Sequence, residues 1–158
     1  MLKRKVLTLI FASLLSILLI AAWFVYADGE ELLAVFPMAF FISWIAIPTI
    51  LLYGLPVSFI SEKLTERFLN NQRICWSFII HILFGLGFVF IVGLLFESQT
   101  LLQDFNQFWR NYEIFFIASI ITSVCFWVID ESLRICLLIK KTNWDLRNLD
   151  YHEWPHGV

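Results

Sequence analysis

Residues 6–27 read VLTLIFASLLSILLIAAWFVYA, an uncharged apolar stretch that follows the basic start Lys3-Arg4-Lys5. A helix needs about 20 mostly apolar residues to cross a hydrocarbon core of about 30 Å, because each residue adds about 1.5 Å. The stretch has that length. A basic start and an apolar run are also typical of a secretory signal peptide, but a signal peptide's apolar core is usually about 7–15 residues long. We therefore predict an uncleaved membrane anchor, with a cleaved leader as the alternative.

The composition of the whole chain is that of a membrane protein. Its 158 residues are 60% hydrophobic and only 15% charged, whereas an ordinary soluble domain is about 25% charged. A soluble domain of this size could not bury so much apolar surface. The net charge of -2 gives no reason to expect a nucleic-acid partner. We predict one all-α membrane domain over residues 1–158, surrounded by the lipid bilayer.

Three further apolar stretches, at about residues 33–53, 74–96 and 114–134, predict three more membrane-spanning helices. The first of them is followed by Gly54-Leu55-Pro56, where proline removes a backbone donor and clashes with the preceding turn. We therefore predict a break at this point.

Two amphipathic segments flank the third span. After the break, residues 56–69 would form a helix in the membrane interface, with the apolar face Val57, Ile60, Leu64 and Phe68. The alternative is that the second span simply continues, tilted, through Pro56. Beyond the third span, aromatic and leucine side chains share one helical face and predict a short interfacial helix on the outer surface. The residues on this face are Leu101, Leu102, Phe105, Phe108, Trp109 and Tyr112.

The positions of the basic residues predict the orientation. Short loops rich in Lys and Arg stay in the cytoplasm, and four spans place ten of the eleven basic residues on one side, with Arg110 on the other. The first loop on the other side holds Asp28, Glu30 and Glu31 instead. We therefore predict a plasma-membrane protein with both termini in the cytoplasm and a cytoplasmic tail over residues 140–158.

Four polar residues near the cytoplasmic side are the candidate site. His81 lies about 9 Å along the third span from Cys75, and Asp130, Glu131 and Arg134 reach a similar depth on the fourth. An ionisable group inside a membrane is costly and tends to face a partner. We therefore predict a contact of His81 with Asp130 or Glu131, with Arg134 one turn from Asp130. It is either a pH-sensitive or proton-accepting site or a structural hydrogen bond between two helices, with Arg134 extended to the headgroups.

Small residues at helical spacing predict how the spans pack. Inside a bilayer, close packing of small side chains and hydrogen bonds between helices drive association. Each span has such a stripe, and we expect the stripes to face one another. They comprise Ala12 and Ser16; Ala39, Ser43 and Ala46; Ser77, His81 and Gly85; and Ser119, Ser123 and Asp130.

Motifs of known chemistry are missing from the sequence. It contains no phosphate-binding loop, zinc-protease pair or serine-hydrolase elbow. Its first two spans carry no charge that a coupled transporter could use. His152 and His156 are spaced as ligands on a helix, but Pro155 interrupts that helix and no third ligand is near. The cysteines Cys75, Cys125 and Cys136 are too few and too far apart for a zinc site and predict buried thiols. We predict no catalytic residue, metal or cofactor.

The layout resembles small four-span membrane proteins of Firmicutes. The resemblance rests on the basic N-terminal anchor, on Tyr53-Gly54-Leu55-Pro56-Val57-Ser58 running into Ser61-Glu62-Lys63-Leu64, and on the charged end of the fourth span. It implies a bacterial plasma-membrane location and transfers no activity or site residue.

The function stays open among three classes. The prediction is a non-enzymatic membrane protein that binds a partner protein, or itself, in an accessory, immunity or regulatory role. The first alternative is a small oligomeric transporter or channel that uses His81 and Asp130. The second is a membrane-embedded enzyme that uses the polar cluster.

Overall fold

The computed structural model describes residues 2–152, and every regular element in that range is helical. Four stretches are long and apolar enough to cross a membrane: Lys3–Ala27, Leu32–Thr65, Gln72–Phe96 and Phe105–Leu137. The protein is therefore an all-helical, multi-pass membrane protein, as the sequence predicts. Its helices are α1 (Leu2–Ala27), α2 (Val35–Thr49), α3 (Leu55–Thr65), α4 (Asn70–Phe96), α5 (Ser98–Gln103) and α6 (Phe105–His152), with a 3-10 turn at Leu32–Ala34 and a π-helical turn at Ile50–Gly54.

Helix α1 ends at a glycine. Gly29 has a φ of 70°, a left-handed conformation that glycine adopts without a steric penalty. The Gly29 N–H donates to the Tyr26 carbonyl at 3.3 Å, and the Glu30 N–H donates to the Val25 carbonyl at 3.0 Å. This pair of bonds satisfies carbonyls that the helix end would otherwise leave without partners.

The second span does not break at Gly54-Leu55-Pro56. Gly54 and Leu55 both keep right-handed helical dihedrals, and the Leu55 N–H donates to the Ile50 carbonyl across a π-helical turn. Pro56 comes just after the π-helical turn, and a local departure of this kind from α-helical bonding is a common way for a helix to accommodate proline. The predicted break is therefore wrong, and the alternative of a continuous helix through Pro56 is correct.

The two faces of α3 are inverted relative to a helix that rests on a membrane surface. Its small polar residues Ser58, Ser61 and Thr65 are buried. Three of the four residues of the predicted apolar face are exposed (Ile60, Leu64 and Phe68), and the fourth, Val57, is buried. In a membrane the apolar face of a helix packs against lipid, and its polar groups form hydrogen bonds inside the bundle. The structure thus does not support the predicted interfacial helix over residues 56–69.

The predicted helix between the third and fourth spans divides at Asp104, whose backbone is extended. Asp104 Oδ1 accepts a hydrogen bond of 3.0 Å from the Gln107 N–H and so caps the start of α6. From Phe105 onward the chain belongs to the same helix as the fourth span. Phe108 and Tyr112 are buried against Val89 of α4 and so form part of the packed core of the bundle.

The spans pack in the order α2, α1, α6 and α4. Helix α6 contacts both α1 and α4, and α1 also contacts α2. Helix α3 packs against α4. Helix α2 makes almost no contact with α4, so a cavity opens between these two helices. The ends of the spans near Lys5, Glu62, Arg73 and Asp130 form what we call the charged end of the bundle.

Candidate functional site

Lys5 lies at the centre of a cluster of buried charges at the charged end. It is 2% exposed, although it is the last residue of the basic N-terminal start. Its Nζ lies 2.7 Å from Asp130 Oδ2 and 3.0 Å from Glu62 Oε2. The same ammonium donates to the Ser58 hydroxyl at 2.8 Å and lies 3.1 Å from the Ser58 carbonyl. The Lys5 ammonium of α1 thus has acceptors from two other helices, α3 and α6.

Arginine side chains and a threonine complete the shell around the two carboxylates. Arg4 Nη2 donates to Glu62 Oε2 at 2.5 Å, and Arg4 Nε lies 3.5 Å from Asp130 Oδ1. Arg73 Nη2 is 4.0 Å from Glu62 Oε1. The Thr8 hydroxyl lies 3.2 Å from Asp130 Oδ1 and can donate to it. Asp130 therefore lies near two cations, and Glu62 lies near three.

A second ion pair lies nearby on α6. Arg134 Nε donates to Glu131 Oε1 at 3.0 Å and to Oε2 at 2.9 Å, and Arg134 Nη2 also contacts Oε1. The sequence places Arg134 one helical turn from Asp130. In the structure the Arg134 guanidinium forms its ion pair with Glu131, three residues before it on the same helix. Both residues of this pair are buried.

His81 is buried but is not bonded to either acidic residue. Its Nδ1 lies 2.8 Å from the Ser77 carbonyl of its own helix, and its Nε2 has no hydrogen-bond partner in the part of the chain that the structure describes. The predicted contact of His81 with Asp130 or Glu131 is therefore not a hydrogen bond, and it stays a prediction. Asp130 is instead engaged by Lys5, because α1 packs directly against α6.

The predicted small-residue contacts are confirmed between α4 and α6. The Ser119 hydroxyl donates to the Gly85 carbonyl at 2.5 Å, and a Cβ atom on Gly85 would overlap the Ser123 hydroxyl. The Ser61 and Ser77 hydroxyls are 3.2 Å apart and join α3 to α4. Helices approach closely where side chains are small, and these contacts hold the spans of the charged cluster in place.

Sequence reasoning missed Lys5 and Glu62. The expectation that the first two spans carry no charge is wrong, since Lys5 lies in the first span and Glu62 in the helical continuation of the second. A signal for Lys5 existed, because it starts the line of buried residues Thr8, Ala12 and Ser16 at helical spacing. The same spacing places Lys5 on the face of α1 that meets the bundle.

The other candidate ligands do not come together. Among the described residues there is no group of three His, Cys, Asp or Glu side chains that could hold a metal ion. Cys125 is buried as predicted, but Cys75 and Cys136 are exposed. His152 is the last residue of α6, and His156 lies outside the described residues.

Comparisons with models of protein families, with curated proteins and with solved structures found no match for this chain. In the cluster that the structure shows, the cations Arg4, Lys5 and Arg73 surround the carboxylates of Glu62 and Asp130, and the five side chains come from α1, α3, α4 and α6.

Proposed function

We propose that this is a non-enzymatic integral membrane protein that acts by binding a partner protein. The observation that carries the proposal is the length of α6, which runs from Phe105 to His152 as one helix of 48 residues. At about 1.5 Å per residue it extends about 72 Å, more than twice the roughly 30 Å of a bilayer core. Residues 138–152, which follow the last span, form the helical arm.

The composition of the helical arm suits protein recognition. It carries Trp144 and Tyr151 among charged and polar residues, and aromatic side chains are enriched among the residues that dominate binding energy at protein interfaces. On this proposal the arm extends beyond the lipid and meets its partner there. The proposed contact surface is therefore the arm, with the four spans as its anchor.

The proposed orientation places the arm in the cytoplasm. Lys140, Lys141 and Arg147 belong to the arm, which follows the charged end of the bundle along α6. Basic residues next to spans are retained in the cytoplasm. Both termini are then cytoplasmic, and the protein sits in the plasma membrane.

The pairing of the buried charges supports a structural role for them. Lys5 is surrounded by acceptors from Ser58, Glu62 and Asp130, and Glu131 is paired with Arg134. A transport or catalytic group must be able to exchange its partners, and ionisable groups that already neutralise one another are held in place. Interactions of this kind fix the position of the helix that carries the arm.

Photocrosslinking in living cells tests the proposal. The photoreactive amino acid p-benzoylphenylalanine replaces Trp144 or Tyr151 on the arm, and Tyr26 at the opposite end of the bundle serves as the matched aromatic control. We expect one adduct of the same mass from both arm positions and no such adduct from Tyr26. The adduct should persist when His81 is replaced by Phe. Lack of any adduct from both arm positions would overturn the proposal.

The transporter alternative makes a different prediction. Purified protein in liposomes would then conduct an ion or solute, and the flux would disappear when Asp130 is replaced by Asn. A flux of that kind, together with no adduct from the arm, would favour the transporter.

A further inference from the structure

We infer that the cavity between α2 and α4 is a binding site for a long-chain amphiphile with a hydroxyl group, and that His81 recognises the hydroxyl. The cavity has a volume of about 570 Å³, within the roughly 300–1,000 Å³ of small-molecule sites. All four spans contribute to its lining. This inference does not depend on the helical arm or on the proposed partner.

The lining of the cavity runs along α4 from the buried His81 to the exposed Phe96. At one end its lining residues Phe41, Phe96 and Phe115 are largely exposed, and at the other Val57 and Phe126 are buried. His81, at the closed end, and Phe96, at the open end, are 15 residues apart on one helix, which corresponds to about 22 Å. A flexible hydrocarbon chain fits such a space.

His81 sets the chemistry of the closed end. Its Nδ1 faces the Ser77 carbonyl at 2.8 Å, and because a carbonyl oxygen only accepts, Nδ1 carries the hydrogen. In the neutral ring Nε2 is then an acceptor, and it has no partner among residues 2–152. A buried polar atom left in this state costs free energy, so a bound ligand with a donor is favoured.

Four of the other polar side chains that line the cavity already donate to backbone carbonyls, whereas the Ser123 hydroxyl has no hydrogen bond within the described part of the chain. The Tyr53 hydroxyl donates to the Phe84 carbonyl at 2.6 Å. Thr49, Ser119 and Thr122 each donate to a backbone carbonyl.

The donor that fits is a neutral hydroxyl. A charged ammonium would have to leave water for an apolar cavity, which is far more costly. A hydroxyl pairs with Nε2 without a charge, and the attached chain fills the apolar part of the cavity. Linear and isoprenoid long-chain alcohols share this chemistry, and the test separates them.

Photoaffinity labelling of the purified full-length protein tests the site. The probe is a long-chain alcohol with a diazirine on its chain, and the competitors are oleyl alcohol, geranylgeraniol and the methyl ether of each. We expect labelled peptides from α2 and α4. Each alcohol should compete about three- to tenfold better than its ether, the difference expected for one hydrogen bond. The more effective of the two alcohols identifies the type of chain.

Two variants locate the recognition. Replacing His81 with Phe should abolish the advantage of the alcohol over its ether, whereas Trp76→Phe, on the lipid-exposed face of the same helix, should retain it. Equal competition by alcohol and ether in the wild-type protein would overturn the inference, as would an alcohol advantage that survives His81→Phe. If that variant does not fold, the wild-type comparison still decides.

Discussion

Replacing Lys5 with methionine should strongly destabilise the protein. Methionine keeps an unbranched side chain but removes the ammonium that lies 2.7 Å from Asp130 Oδ2 and 3.0 Å from Glu62 Oε2. Removing one partner of a buried ion pair costs about 3–5 kcal/mol, because the other charge stays buried. Asp130 would retain Arg4 at 3.5 Å and Thr8 at 3.2 Å. We therefore expect the lower end of that range, a loss of about 3 kcal/mol in the free energy of unfolding.

The assay is unfolding of the purified protein in mixed micelles as the fraction of denaturing detergent rises, followed by circular dichroism. Lys3→Met is the matched control, because it makes the same substitution at an exposed position two residues away. It should change the free energy of unfolding far less. Adding Asp130→Asn to Lys5→Met should recover part of the loss, since the unpaired carboxylate is then removed. Equal destabilisation by Lys5→Met and Lys3→Met would refute the reasoning.

Three further predictions concern packing, a hydrogen bond and topology. Gly85→Ala should destabilise the protein by about 1–3 kcal/mol through overpacking. Gly87→Ala should not, since a Cβ there would meet only the Tyr53 hydroxyl, at an ordinary contact distance of 3.9 Å. Ser123→Ala should rescue Gly85→Ala in part in the same unfolding assay, because it removes the overlapping hydroxyl but leaves the Ser123 Cβ and the Ser119 hydroxyl close by. Tyr53→Phe should cost about 1 kcal/mol because it removes a hydrogen bond to a backbone carbonyl of α4, and an unchanged unfolding curve would contradict that bond. A reporter enzyme fused after Gln99 should be active outside the cytoplasm, and cytoplasmic activity there would contradict the proposed orientation.

The four spans could be predicted from the sequence because each is a simple consequence of apolar length. Residues 6–27 need no tertiary information to be read as a membrane helix, and the structure places a helix there. The contact of Gly85 with Ser119 and Ser123 was also predictable, since small residues at helical spacing mark where helices approach one another.

The arrangement of the charges could not be predicted, because it depends on which helices are neighbours. Asp130 could meet His81 on α4 or Lys5 on α1, and sequence spacing does not choose between them. The packing of α1 against α6 decides for Lys5. The face of α3 was misassigned for a related reason, since an apolar stripe faces the core in water but faces lipid in a membrane.

The pairing of Lys5 with Asp130 also bears on how the protein is made. The two residues are 125 positions apart, and synthesis proceeds from the N-terminus. Lys5 is therefore synthesised well before Asp130. Its other carboxylate partner, Glu62, is synthesised between the two. A nascent chain that stops short of Asp130 still carries a cation without its full complement of acceptors, so insertion of the final helix is the step that completes the bundle.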